Sequence, residues 1–322
     1  MIPKVELHLH LDCSLSYNAV AQLDRSISRA QYDAEFVAPP VCASLADFLT
    51  RAPRGFQLMQ TQDALHLAVE DLFEQLIADS VIYAEIRFAP LLHLLRGLNP
   101  EQVVQTIDRA TEDCMRATGV EARIILCTLR HFSAAQSLKT AQLVADFAGS
   151  RVTALDIAGD EAGHPLDPHI AAFQLARDHG LCRTAHAGEA AGAASVWQTL
   201  RALQPTRIGH GVRSVEDTAL VEHLRARRIH LEVCPASNVQ TRAVASYSQH
   251  PIARLSEAGV SLGISTDART ITNITLEQEY AHLSQHFGWN GRHFHSCNRD
   301  ALEAAFVDET TRGRLLAKLN TA

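Results

Sequence analysis

The sequence predicts an α/β chain folded as a closed (β/α)8 TIM barrel, and three observations predict it. Short β-branched and apolar runs recur eight times along the 322 residues. A longer amphipathic stretch follows each, and no linker, low-complexity tract or internal repeat interrupts the alternation. Parallel strands need a crossover, and a helix is the usual one, so such alternation builds a parallel sheet. Eight units over this length close that sheet into a barrel whose active site lies at the C-terminal ends of the strands. Residues 1–322 are therefore read as a single domain.

The strands are expected at 5–12 (VELHLHLD), 81–90 (VIYAEIRFAP), 122–129 (ARIILCTL), 151–158 (RVTALDIA), 182–187 (CRTAHA), 206–210 (TRIGH), 229–234 (IHLEVC) and 260–266 (VSLGIST). Helical periodicity fills 62–79, 101–118, 134–148, 168–179, 191–203, 214–227 and 249–258. One gap is irregular. Positions 13–80 hold far more chain than a crossover needs, and their middle is apolar but broken by prolines and Gly55. A helical insertion between strands 1 and 2, covering the barrel mouth near residues 40–60, is the expectation; an insertion packed away from the site is the alternative. After strand 8, residues 274–320 read as extra C-terminal helices.

Composition narrows the partners. The net charge of −7 gives no basic surface for nucleic acid, which leaves a small molecule as the expected partner. No apolar run reaches the roughly 20 residues a membrane span needs, and MIPKVELHLH lacks the pattern of a secretory signal. Seven scattered cysteines without a CxxC pair argue against a disulfide framework and against a thiolate metal site. The expected location is the cytoplasm; oligomeric state is not legible.

The predicted strand ends carry the chemistry. His8, His10 and Asp12 are spaced by two, which puts them on one face of strand 1 if Leu7, Leu9 and Leu11 face the helices. Strand 5 ends in His186 with Glu189 three residues on, strand 6 in Gly209-His210-Gly211, and strand 8 in Ser265-Thr266-Asp267. Taken singly, each has an ordinary reading: surface histidines, a buried hydrogen-bonded histidine, a first-turn glutamate, a helix N-cap aspartate. Taken together, four strands converge a His or Asp at one end of the barrel. Three imidazoles and a carboxylate suit a zinc ion.

These residues resemble the adenosine deaminase family of the amidohydrolase superfamily, a group of metallo-dependent hydrolases. The likeness runs in order through PKVELHLHLD (3–12), EIRFAP (85–90), DIAGDE (156–161), HAGE (186–189), RIGHG (207–211), EVCPASN (232–238) and STD (265–267). The resemblance implies that His8, His10, His186 and Asp267 ligate one zinc ion per chain. It implies that Glu189 protonates purine N1, His210 orients the attacking hydroxide, Gly159 meets purine N3 and Asp12 binds the ribose 5′-hydroxyl. The implied reaction is hydrolytic deamination of adenosine or 2′-deoxyadenosine to inosine or 2′-deoxyinosine, with ammonia released. Relatives with two metals bridge them with a modified lysine on strand 4; Lys4, Lys139 and Lys318 all lie elsewhere.

Two departures loosen the substrate. The family's second aspartate after strand 8, which meets purine N7, is here Ala268, followed by Arg269. Arg269 either rebuilds a substrate contact or lies on the surface. Cys13 stands where glycine is usual and reads as a small filler or a reactive thiol. Adenine, 6-amino-6-deoxyfutalosine or another 6-aminopurine is the alternative substrate, and a non-catalytic nucleoside-binding relative the alternative class. His93, His131, His293 and His295 are read as surface or packing residues.

Overall fold

The computed structural model describes residues 2–321. Eight parallel strands pair strictly in chain order: β1 (Lys4–His10), β2 (Val81–Phe88), β3 (Glu121–Leu129), β4 (Val152–Ala158), β5 (Cys182–Ala187), β6 (Arg207–His210), β7 (His230–Val233) and β8 (Leu262–Ile264). The ring closes just beyond β8. The Asp267 N–H donates to the His8 carbonyl at 3.0 Å, and the His10 N–H donates to the Asp267 carbonyl at 2.8 Å. The predicted (β/α)8 barrel is thus observed, and its seam runs through three of the residues singled out at the strand ends.

Four short helices fill the insertion: α1 (Tyr17–Leu23), α2 (Arg29–Glu35), α3 (Leu45–Leu49) and α4 (Ala52–Phe56). The crossover helices are α5 (Gln62–Ala78), α6 (Pro100–Thr118), α7 (Ala134–Asp146), α8 (Ile170–Asp178), α9 (Ala193–Ala202) and α10 (Thr218–Arg227). Two more, α11 (Pro235–Gln240) and α12 (Ile252–Glu257), separate β7 from β8. The helices α13 (Arg269–Thr272), α14 (Leu276–Phe287), α15 (Gly291–Ala304) and α16 (Glu309–Asn320) follow β8. Their starts are written locally. Asn99 with Gln102, Ser133 with Gln136, and Thr275 with Gln278 form capping boxes before α6, α7 and α14.

Two strands end sooner than their hydrophobic pattern suggests. β1 stops at His10, and a 3₁₀ turn over Leu11–Cys13 is tied down by the Ser14 hydroxyl donating to the His10 carbonyl. β8 stops at Ile264, and Asp267 adopts a φ of +66°, which an extended strand cannot contain. Val5 and Leu7 of β1 pack outward on Ala301, Leu302, Leu315 and Leu319 of α15 and α16, so Glu6, His8 and His10 occupy the opposite face. Among the described residues, no helix is long and apolar enough to cross a membrane.

Candidate active site

At the upper end of the barrel, three imidazoles and a carboxylate meet around one point. His10 Nε2 lies 3.2 Å from His186 Nε2. Asp267 Oδ1 lies 3.3 Å from His8 Nε2 and 3.5 Å from His10 Nε2. His8, His10, His186 and Asp267 each present one ligand atom to this point, and the four together could hold a metal ion. The buried His8 Nε2 has no hydrogen-bond partner, which a coordinated cation would remedy. Burial holds the imidazoles of His10 and His186 below their ordinary range, favouring the neutral rings that bind metals. Asp267 is also buried, but the neighbouring His8 outweighs that burial and favours its ionised carboxylate.

A layer of partners aims three of these four groups. His8 Nδ1 lies 2.9 Å from Glu232 Oε2, and His186 Nδ1 lies 3.2 Å from Asp156 Oδ1. With the far nitrogens engaged by carboxylates, the Nε2 atoms are left for a ligand. Those carboxylates are fixed in turn by buried arginines. Arg87 donates to Asp156 at 2.9 Å and to Glu232 at 2.7 Å, and Arg207 donates to Glu232 at 2.8 Å. The Ser237 hydroxyl donates to Asp267 Oδ2 at 2.7 Å. Gly209 is required by crowding, because a β-carbon there would sit 2.9 Å from the His8 ring.

Glu189 and His210 stand beside this cluster, with Glu189 Oε2 3.5 Å from His210 Nε2. Burial raises the Glu189 carboxyl well above the usual range, helped by the negative charges of Asp267 and Glu161. Both effects favour the protonated carboxyl. The Thr241 hydroxyl donates to Glu189 Oε1 at 3.0 Å. Glu161 anchors the turn that carries Glu189, accepting from the N–H groups of Gly188, Glu189 and Ala191. His210 has a φ of +61°, outside the usual range for a side-chain-bearing residue. Its ring is held by the Asn238 amide, which donates to Nδ1 at 3.1 Å. Burial pushes its pKa well down, so the ring is neutral and Nε2 carries the hydrogen.

Of these groups, His10, His186, Asp267, Glu189 and His210 border a cavity of about 420 Å³. His10, Asp12, His186, Glu189, His210 and Asp267 form its floor; Leu45, Phe48, Leu49, Ala52, Pro53 and Phe56 of α3 and α4 form its roof. The insertion is therefore a cap over the barrel mouth. Gly159 lines the cavity with a φ of +100°.

Several readings are corrected here. Asp12 is in the 3₁₀ turn beyond β1 rather than on the strand face with His8 and His10, though it still lines the cavity. Arg269 is neither a surface residue nor a substrate contact. It is buried, with ion pairs to Glu6 at 2.7 Å and Asp79 at 2.6 Å. His93 is fully buried against Asp12, as a packing residue, whereas His131 lines the cavity. Exposed His293 and half-buried His295 bond to Asn290 and Asn320 at the surface. Cys13 packs beside Ala268, Leu45, Phe48 and Ile271, and burial pushes its thiol well up, so it is an uncharged filler of the cavity wall. Glu232, Asp156, Ser237, Asn238 and Thr241 carried no assigned role in the sequence. A lone carboxylate inside an apolar strand, as in IHLEVC or TALDIA, was the available signal.

A barrel mouth that converges three imidazoles and a carboxylate, with a buried carboxyl alongside, fits the metal-dependent amidohydrolase class. The family model described as adenosine deaminase matches residues 3–322. The chain is 32% identical over 326 residues to an adenosine deaminase of Clostridium acetobutylicum, covering 99% of this chain and 97% of that protein. It is 35% identical over 322 residues to an adenine deaminase of Rhizobium etli, covering 99% of each. The solved adenine deaminase of Arthrobacter aurescens superposes with a TM-score of 0.92 at 24% identity, covering 100% of this chain and 99% of that one. The chain belongs to the adenosine deaminase family and is a purine deaminase.

Proposed function

We propose that the protein hydrolyses the 6-amino group of adenosine and 2′-deoxyadenosine, releasing ammonia and the inosine counterpart, with one zinc ion per chain held by His8, His10, His186 and Asp267. The metal assignment rests on fit. Donors can share one small cation only when their ligand atoms stand within a few ångströms of one another. The separations of 3.2, 3.3 and 3.5 Å match that spacing, and the nitrogen and oxygen donors suit zinc. A zinc ion there would supply a water acidic enough to be nucleophilic at neutral pH.

The chain's own side chains account for the rest. Attack at C6 breaks the ring's aromaticity and drives electron density onto N1, so N1 must gain a proton. The Glu189 carboxyl, whose protonated form burial favours, donates it as a general acid. His210 presents its Nε2 hydrogen towards the attacking oxygen and holds that oxygen's orientation, with Asn238 fixing the tautomer. Gly159 offers its N–H to purine N3, and Asp12 receives the sugar hydroxyl. The cap excludes water from the cavity while the amino group departs.

The observation that carries this reading is Glu189, buried beside His210 and the four-ligand cluster. Asp12 supports a nucleoside over a free base, while Ala268, in an apolar cluster with Phe48 and Ile271, offers nothing to N7. Adenine is the second reading, favoured by the adenine deaminase among the relatives. A panel of adenosine, 2′-deoxyadenosine, adenine and 6-amino-6-deoxyfutalosine, read by ammonia release, tests the assignment. The highest kcat/KM is expected for adenosine or its 2′-deoxy form. Higher turnover of another purine overturns the choice, and nucleoside binding without turnover overturns catalysis.

A further inference from the structure

We propose that His93 is a positioning residue for the substrate's sugar, fixing Asp12 from behind and joining it to the cap; this rests on Asp12 binding the 5′-hydroxyl of a nucleoside. His93 follows the end of β2, is fully buried and does not line the cavity. Its Nε2 lies 2.7 Å from Asp12 Oδ1, and its Nδ1 lies 2.8 Å from the Met59 carbonyl. Both partners are oxygen atoms, so the ring is bracketed between the Asp12 carboxylate and the cap's backbone. The ring is thus a rigid bridge between the carboxylate and the chain that leaves α4.

The surroundings tighten that bridge. Asp12 Oδ2 accepts from the Ala89 N–H at 2.9 Å. Each carboxylate oxygen therefore spends one lone pair on the protein and keeps another for a hydroxyl in the cavity. Gln60, next to Met59, donates from its side-chain amide to the Leu92 carbonyl at 2.9 Å, so the two segments are joined twice. The cap also presses on Asp12 directly. A β-carbon at Gly55 of α4 would fall 2.5 Å from the Asp12 carbonyl oxygen. Asp12 is consequently held between β2 and the cap, in a turn that has no strand ladder of its own to hold it.

A carboxylate so held binds a hydroxyl in one fixed place. Without His93, Asp12 loses its strongest side-chain partner and can rotate, and the benefit of the 5′-hydroxyl falls. The purine end is served by other groups and feels the loss much less.

The test compares kcat/KM for adenosine and 5′-deoxyadenosine in the metal-loaded wild type, His93→Phe and His93→Gln. The wild type is expected to favour adenosine roughly tenfold to a hundredfold, the range of one hydrogen bond to a charged group. His93→Phe is expected to reduce that preference to within about threefold, mainly through KM for adenosine. His93→Gln, whose amide can still donate to Asp12, is expected to recover part of it. A general loss of structure would lower both substrates in parallel and leave the ratio intact. An unchanged ratio in both variants therefore overturns the proposal while leaving the deaminase assignment standing. A wild type without preference removes the sugar contact and the proposal with it. A wild type without adenosine turnover removes the functional assignment itself.

Discussion

The floor and the roof of the cavity are built by opposite means. On and beneath the floor, five reactive side chains have a second, buried partner: Glu232 behind His8, Asp156 behind His186, Ser237 on Asp267, Asn238 on His210 and Thr241 on Glu189. The roof is apolar, made of Leu45, Phe48, Leu49, Ala52, Pro53 and Phe56, and is held by packing and by the His93 bridge. Directional contacts fix atoms to tenths of an ångström, which proton transfer and metal binding need. Packing fixes only shape and volume, which is enough to exclude water and grip a purine. The floor thus governs chemistry, and the roof governs which substrate stays.

That division can be broken from the floor upwards. Replacing Glu189 by Gln removes the acid while preserving shape, and kcat/KM should fall by about 10² to 10⁴ with metal content retained. A loss below tenfold would separate Glu189 from the proton transfer. Glu232→Leu comes next. It should weaken metal affinity by roughly 10- to 100-fold in a chelator titration. It should also lower stability by about 3–5 kcal/mol, because the arginines that faced Glu232 lose a buried partner.

Thr241→Val probes the same floor more gently. Burial raises the Glu189 carboxyl, and the Thr241 hydrogen bond pulls against that rise. The acid works while protonated, so activity persists below its raised pKa and is lost as pH climbs through it. Removing the hydroxyl should raise that pKa further and carry the alkaline limb of the rate profile to higher pH; a limb shifted to lower pH would contradict the assignment. On the roof, Leu49→Ala should raise KM by about threefold to tenfold with kcat kept, the worth of roughly 1 kcal/mol of apolar contact. A drop in kcat instead would show the roof taking part in chemistry.

The floor was more legible in the sequence than its supports. His8, His10, His186, His210 and Asp267 announce themselves because barrel strands deliver their C-terminal residues to one place, so spacing along the chain becomes proximity. Strand alternation gave the barrel for the same reason. Asp12 was found but misplaced, since the 3₁₀ turn after His10 is set by Ser14 and the cap rather than by strand periodicity. His93 meets Asp12 across 81 positions of chain, and no local pattern records that meeting. Arg269 misled for a related reason. An arginine beside a ligand suggests substrate, yet its partners Glu6 and Asp79 come from β1 and the loop after α5.

The central claim is one ion, held by four named residues, without which the purine is not attacked. Metal analysis of the purified protein and of His10→Ala, with ammonia release from adenosine measured on the same samples, tests it most directly. One zinc per chain in the wild type, lost together with ammonia release in the variant, is the predicted result. Two metals per chain, or full deamination by metal-free protein, would contradict it.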